Sequence, residues 1–189
     1  MTTGFDASTT AIDDITGDYT LDVSHSRLGF VARHAMVTKV RGQFTDWSAT
    51  AHIDTANPAA SSVTLTINPA SVSTGSADRD GHLVSADFLD VENFPTLTFT
   101  STAVTVDGPD VAVTGDLTIR GVTRSVTVNY EYIGTSMDPF GFTRVGFEGT
   151  AKISRKDFGL TWNAALETGG VLVGDEITLV LDVEAVKQA

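Results

Sequence analysis

The 189-residue chain has no cysteine. Disulfide frameworks, thiol nucleophiles and thiolate metal sites are thereby excluded. Positive charge is also scarce: 12 Lys and Arg stand against 24 Asp and Glu, a formal charge of −12. Nucleic-acid binding needs a basic face, and adsorption to anionic membranes needs basic clusters, so neither partner is expected. No window approaches the apolar length of a membrane span, which argues against stable membrane insertion. The opening residues, Met1 to Ser8, carry neither the basic n-region nor the apolar h-region of a secretory signal. The expectation is therefore a soluble, cytoplasmic protein. The four histidines, His25, His34, His52 and His82, show no HxxxH or HxH spacing, so no local metal motif exists. The glycine-rich run Gly169–Gly174 lacks the Lys and the following helix of a phosphate loop.

What the chain has in quantity is period-two alternation. Residues 1 to about 17 show little periodicity and read as a flexible N-terminal arm, with one domain over 18–189. From Asp18 the pattern changes. Tyr19 and Leu21 alternate with polar residues, as do Leu28, Phe30 and Ala32. Further runs carry Val63, Leu65 and Ile67; Leu97 and Phe99; Val111, Val113, Leu117 and Ile119; and Val126, Val128, Tyr130 and Tyr132. The last hold Val145, Phe147 and Ile153, then Ile177, Leu179, Leu181 and Val183. Such alternation gives strands with one apolar and one wet face. Turn signals fall between the runs: Asn57-Pro58, Asn68-Pro69, Asp107-Gly108-Pro109, Arg120-Gly121 and Asp138-Pro139. About eight strands joined by short turns suggest an antiparallel meander closing into a β-barrel. Phe44 and Trp47, three positions apart, cannot share a face of one regular strand, which hints that strand twist or a bulge flips the phase near them.

One segment stands out as helical, over residues 76–86. Ser76 is a suitable N-cap, and Asp78 and Asp80 sit where the helix dipole favours acid. Gly81 weakens the helix by up to ~1 kcal/mol relative to Ala, so it depends on packing by Leu83, Val84 and Phe88. A short helix among strands is expected to close one barrel end.

These motifs, taken in order, resemble a known family. They run from Tyr19-Thr20-Leu21-Asp22-Val23-Ser24-His25-Ser26 through Val40-Arg41-Gly42-Gln43-Phe44 to Arg79-Asp80-Gly81-His82-Leu83-Val84-Ser85-Ala86-Asp87-Phe88. They continue with Phe94-Pro95-Thr96-Leu97-Thr98-Phe99, with Thr114 to Thr123, with Ser154-Arg155-Lys156-Asp157-Phe158-Gly159 and with Val173-Gly174-Asp175-Glu176-Ile177. The set resembles the YceI-like family, whose members include polyisoprenoid-binding proteins with a lipocalin-like barrel. The resemblance spans about Tyr19 to Ala185. It implies an all-β, antiparallel lipocalin-like barrel whose interior accepts an isoprenoid or other amphiphilic lipid, or an isoprenoid quinone. It implies no catalytic residue and no cofactor. Many members carry a secretory signal that this sequence lacks, which bears on any role in transport across an envelope.

Inward side chains of a small barrel either fill it or line a cavity. The large apolar residues of the alternating runs, Phe30, Phe44, Leu65, Phe99, Leu117, Val128, Phe147 and Leu179, are the candidate lining. Arg155 is the candidate polar contact for a head group, with a structural ion pair to a nearby Asp as its competing role. Other donors available for a rim are Arg27, Arg33, Lys39, Arg41, Arg120, Arg124 and Arg144. Two other functions stay open at this point. One is a metal-dependent enzyme using barrel-end histidines, His25, His34 or His82, with His25 and His82 converging. The other is a solid barrel that works as a protein-interaction module. Homodimerisation is possible. Ser24-His25-Ser26 with Asp22 nearby lacks the nucleophile elbow of a hydrolase.

Overall fold

The alternating runs become strands, and almost every strand pairs with its neighbour in sequence. The computed structural model describes residues 12–189. Its strands are β1 (Gly17–Leu21), β2 (Arg27–His34), β3 (Thr38–Phe44), β4 (Trp47–Ile53), β5 (Ser62–Ile67), β6 (Val72–Ser73), β7 (Leu97–Asp107), β8 (Asp110–Ile119), β9 (Val122–Met137), β10 (Thr143–Ser154) and β11 (Val173–Lys187). A single α-helix among the described residues, α1 (Ala77–Val84), lies between β6 and β7.

Six of these segments are halves of three longer strands. β1 and β2 are split by a 3-10 turn at Val23–His25, where the Asp22 carboxylate accepts from the Ser24 amide at 3.0 Å. β3 and β4 are split at Thr45 and Asp46, and β5 and β6 by a turn at Pro69–Ser71. Pro69 has no N–H for a ladder, so the strand must yield there. The last two breaks are stitched side by side: Ser71 Oγ accepts from the amides of Thr45 at 3.1 Å and Asp46 at 3.0 Å. The break between β3 and β4 also explains Phe44 and Trp47. They belong to separate strand segments, which lets both face inward.

Counted as long strands, the sheet is an eight-stranded up-and-down meander. β1 pairs β4 on one side and β11 on the other, with Tyr19 opposite Lys187, and this closes the barrel. The turns at Ala35–Val37 and Arg120-Gly121, the α1 segment and the connection after β10 gather at one mouth, the helix end. The chain ends of the barrel and the turns after β4, β7 and β9 gather at the other, the terminal end.

α1 begins at the expected cap, Ser76, whose hydroxyl accepts from the Arg79 amide at 3.4 Å. The chain that follows it doubles back, with the Leu89 amide donating to Leu83 O at 2.9 Å. This buries Phe88 and Leu89. At the other end the expected N-terminal arm ends sooner than residue 17. Its residues 1–11 lie outside the described residues, but Ile15 is buried against Tyr19, Tyr132 and Val145. The Tyr19 hydroxyl donates to Ile15 O at 2.8 Å, and the Tyr132 hydroxyl to Asp13 at 3.0 Å.

Near the terminal end one guanidinium ties three strands and a turn. Arg144 on β10 donates to Asp22 after β1 at 2.9 Å, to Asp138 in the β9–β10 turn at 2.9 Å, and to Glu184 on β11. The Asp22 carboxyl is held well below its ordinary range, first by the Ser24 hydroxyl and then by Arg144 and His25. Asp138 is also lowered, by the Phe142 amide and then by Arg144.

Two predictions follow from this packing. A carboxyl lowered by folding contributes stability that is complete above its unfolded value, about pH 4, and is lost as the pH falls through the folded one. Melting temperatures should therefore decline from about pH 4 downward, and Arg144→Met should flatten part of that decline. A melt series over pH checks both, and identical slopes in the two proteins would reject the linkage. The second concerns Gly42, opposite Phe30 in the β2–β3 ladder. A Cβ on Gly42 would come within 2.8 Å of a Phe30 ring carbon. Gly42→Ala should cost about 1–3 kcal/mol through overpacking, measurable by urea denaturation.

Candidate ligand-binding lumen

The inward faces do not fill the barrel. They leave an apolar lumen in two parts that share Tyr130 on their walls. The larger, of about 220 Å³, runs from the helix end toward the middle. The smaller, of about 140 Å³, lies toward the terminal end. A solid barrel is thus not what the chain forms.

Phe30, Phe44, Leu65, Phe99, Leu117, Val128 and Leu179 all stand on the wall of the larger chamber. Phe147 does not join them; it lines the smaller chamber, with its ring 5.5 Å from that of Tyr132. Phe147 sits where the β9–β10 register shifts, close to the terminal end, so the same inward parity places it in a different room.

Arg155 reaches the wall of the larger chamber as well, but its role differs from a head-group contact. It is 4% exposed. Its Nε donates to Gly174 O at 2.9 Å, and Nη1 donates to Leu160 O at 2.7 Å and Trp162 O at 2.9 Å. Nη2 donates to Val173 O at 3.2 Å and to Asp175 at 3.5 Å. A guanidinium has five N–H donors, and all five are engaged by the protein. Burial draws its pKa below the ordinary value, with Asp175 opposing. Arg155 therefore fastens the β10–β11 connection, chiefly through carbonyl oxygens, with the expected ion pair its longest bond. Arg120 acts similarly, donating to Phe88 O at 3.0 Å and holding the segment after α1.

The helix end is plugged by that segment and by the connection after β10. Leu83, Phe88, Leu89, Phe158 and Leu160 close the larger chamber. Trp162 lies over the plug, its ring 4.6 Å from that of His82 and 5.4 Å from that of Phe88. The terminal end is covered by Ile12, Ile15, Ile53 and Pro58 around the smaller chamber. Ile12 and Ile15 escaped the sequence reading because two isolated apolar residues in a polar segment carry no periodicity.

The histidines do not converge. His25 bonds Asp22 at 2.9 Å, His52 bonds Asp18 at 2.7 Å, and His82 bonds Asp87 at 2.9 Å. Asp22, His25 and Glu184 lie close enough together to suggest a metal site. However, the Arg144 guanidinium already bridges Asp22 and Glu184, so this acidic group has its cation. Ser24 and His25 both bond Asp22, through Ser24 Oγ at 2.6 Å and His25 Nδ1 at 2.9 Å. Ser24 and His25 are exposed in the turn beside the half-buried Asp22, and none of the three lines either lumen chamber. No described helix is long and apolar enough to cross a membrane.

Comparison with known proteins agrees with this architecture. The YceI-like domain model matches residues 19–185. Protein YceI of Escherichia coli O17:K52:H18 is 42% identical over 176 residues, covering 92% of this chain and 89% of the relative. Among solved structures, BcnA of Burkholderia cenocepacia superposes with a TM-score of 0.76 at 27% identity, over 87% of this chain and 98% of that one. A YceI protein of Campylobacter jejuni gives 0.72 at 31% identity, over 83% and 90%. A polyisoprenoid binding domain from Saccharophagus degradans shares the fold at a TM-score of 0.64 and 20% identity, over 90% and 98%. With its closed barrel, its inserted helix and a domain match along nearly its whole length, this chain belongs to the YceI-like family.

Proposed function

We propose that the protein sequesters a hydrophobic or amphiphilic small molecule in its lumen, foremost an isoprenoid lipid or isoprenoid quinone. The observation that carries this reading is the larger chamber, whose wall is apolar but for Tyr130 and Arg155. Each buried methylene is worth ~0.8 kcal/mol. Non-covalent affinity saturates near 20 kcal/mol, so burial of part of a prenyl chain suffices for tight binding. The polyisoprenoid binding domain of Saccharophagus degradans, with the same fold, supports the ligand class. Cargo would enter where a plug yields, at the α1 segment or at the cover formed by Ile12 and Ile15.

Gentle organic extraction of the native protein, followed by mass spectrometry, should yield a prenyl-type lipid near one equivalent. Leu179→Trp, which intrudes on the larger chamber, should weaken prenyl-lipid binding at least about tenfold while circular dichroism stays unchanged. Binding that survives this variant undiminished, with an empty extract, would remove the lumen from consideration.

A further inference from the structure

The two chambers meet at Tyr130, which lines both. Its neighbours set its ring. Gly149 stands directly opposite in the β9–β10 ladder. A Cβ there would come within 3.1 Å of the ring's Cγ and closer still to its edge, so the missing side chain lets the phenol lie along the wall. Phe147 packs edge-on at a centroid distance of 6.4 Å.

The Tyr130 hydroxyl is unlike those of the other two tyrosines. Tyr19 and Tyr132 donate to Ile15 O and to Asp13. Tyr130 has no hydrogen-bond partner among the described residues. No fully buried side-chain polar atom among the described residues lacks a partner, so this unpaired hydroxyl keeps some accessible surface, and a ligand can supply the acceptor it lacks. Its hydroxyl is surrounded closely enough that burial pushes its pKa up to about 12, so it remains a neutral donor at any physiological pH. The other polar side chain on the larger chamber's wall, Arg155, has no N–H to spare.

We propose that the Tyr130 hydroxyl is a specificity-determining hydrogen-bond donor for the cargo, which therefore carries a neutral oxygen acceptor, such as a ketone or quinone carbonyl, at the junction of the chambers. This rests on the lumen binding proposed above. A carboxylate or phosphate at the same depth would be desolvated against one neutral donor with no free cation beside it, which is strongly unfavourable. The lumen thus selects a buried neutral head over a buried charged one.

The test is competition against the neutral fluorophore N-phenyl-1-naphthylamine bound to delipidated protein. The competitors are 2-tridecanone, tridecane and tridecanoate. Wild type should bind the ketone tighter than the alkane or the carboxylate. Tyr130→Phe, which keeps the ring, should weaken the ketone roughly threefold to tenfold and leave the alkane within about twofold. An undiminished ketone affinity, or an equal loss for both, overturns the anchor while the lumen reading stands. Failure of all three compounds to displace the fluorophore from wild type overturns the lumen reading and the anchor with it. An independent readout uses wild type alone. The carbonyl stretch of carbonyl-labelled 2-tridecanone should fall below its frequency in hexane when bound, and an unshifted band rejects the hydrogen bond.

Discussion

The structure depends on one closure: β1 pairing with β11. An open sheet of this composition would present an apolar face and two unpaired edges. Once the first strand joins the last, backbone donors and acceptors are paired around the ring, and the inward side chains need only be apolar. Closure turns a surface into an interior. It also explains why Arg144 stands where it does. Bound to groups flanking β1, on β11 and in the β9–β10 turn, it clasps the sheet beside the seam that completes the ring.

An enclosed apolar space would ordinarily be filled by its own side chains. Here several large inward rings are laid against the wall instead of across the bore. Phe30 lies over Gly42, Phe99 over Gly115, and Tyr130 over Gly149, each glycine leaving the space a Cβ would take. The two mouths are covered by different means. At the helix end, a buried guanidinium and a second arginine hold looping chain in place through carbonyl oxygens. At the terminal end, two isoleucines before β1 rest in an apolar notch. The first cover is held through guanidinium groups, and the second by apolar contact together with hydrogen bonds from the Tyr19 and Tyr132 hydroxyls and to Thr55.

How far the sequence revealed this arrangement depended on whether a signal was local. Strand alternation reports inward parity, and the eight apolar wall candidates all face the lumen, seven in the larger chamber and Phe147 in the smaller. Phe147 has the right parity, but position along the barrel axis depends on register and on the β9–β10 shift, which no single strand encodes. The helix was readable because its cap and its first-turn acids are local. The split of long strands into halves was not foreseen; Phe44 and Trp47 hinted only at a change of phase. Ile15 docks through contacts more than a hundred residues away in sequence, at Tyr132 and Val145, so nothing in its own segment announces it. Arg155 could be singled out as unusual beside a turn, but its partners are backbone carbonyls of a connection that becomes specific only once folded.

The same lumen carries a mechanical consequence. A protein interior is normally packed as densely as an organic crystal, and unfolding then changes its volume little. A barrel that encloses about 220 Å³ in one chamber surrenders that space when it opens, so compression favours the opened chain. Cargo in the proposed lumen would remove the void and with it much of the leverage that pressure has. Loading would thus change the compressibility of the protein as well as its chemistry, and the full and empty forms would be different materials built on one backbone.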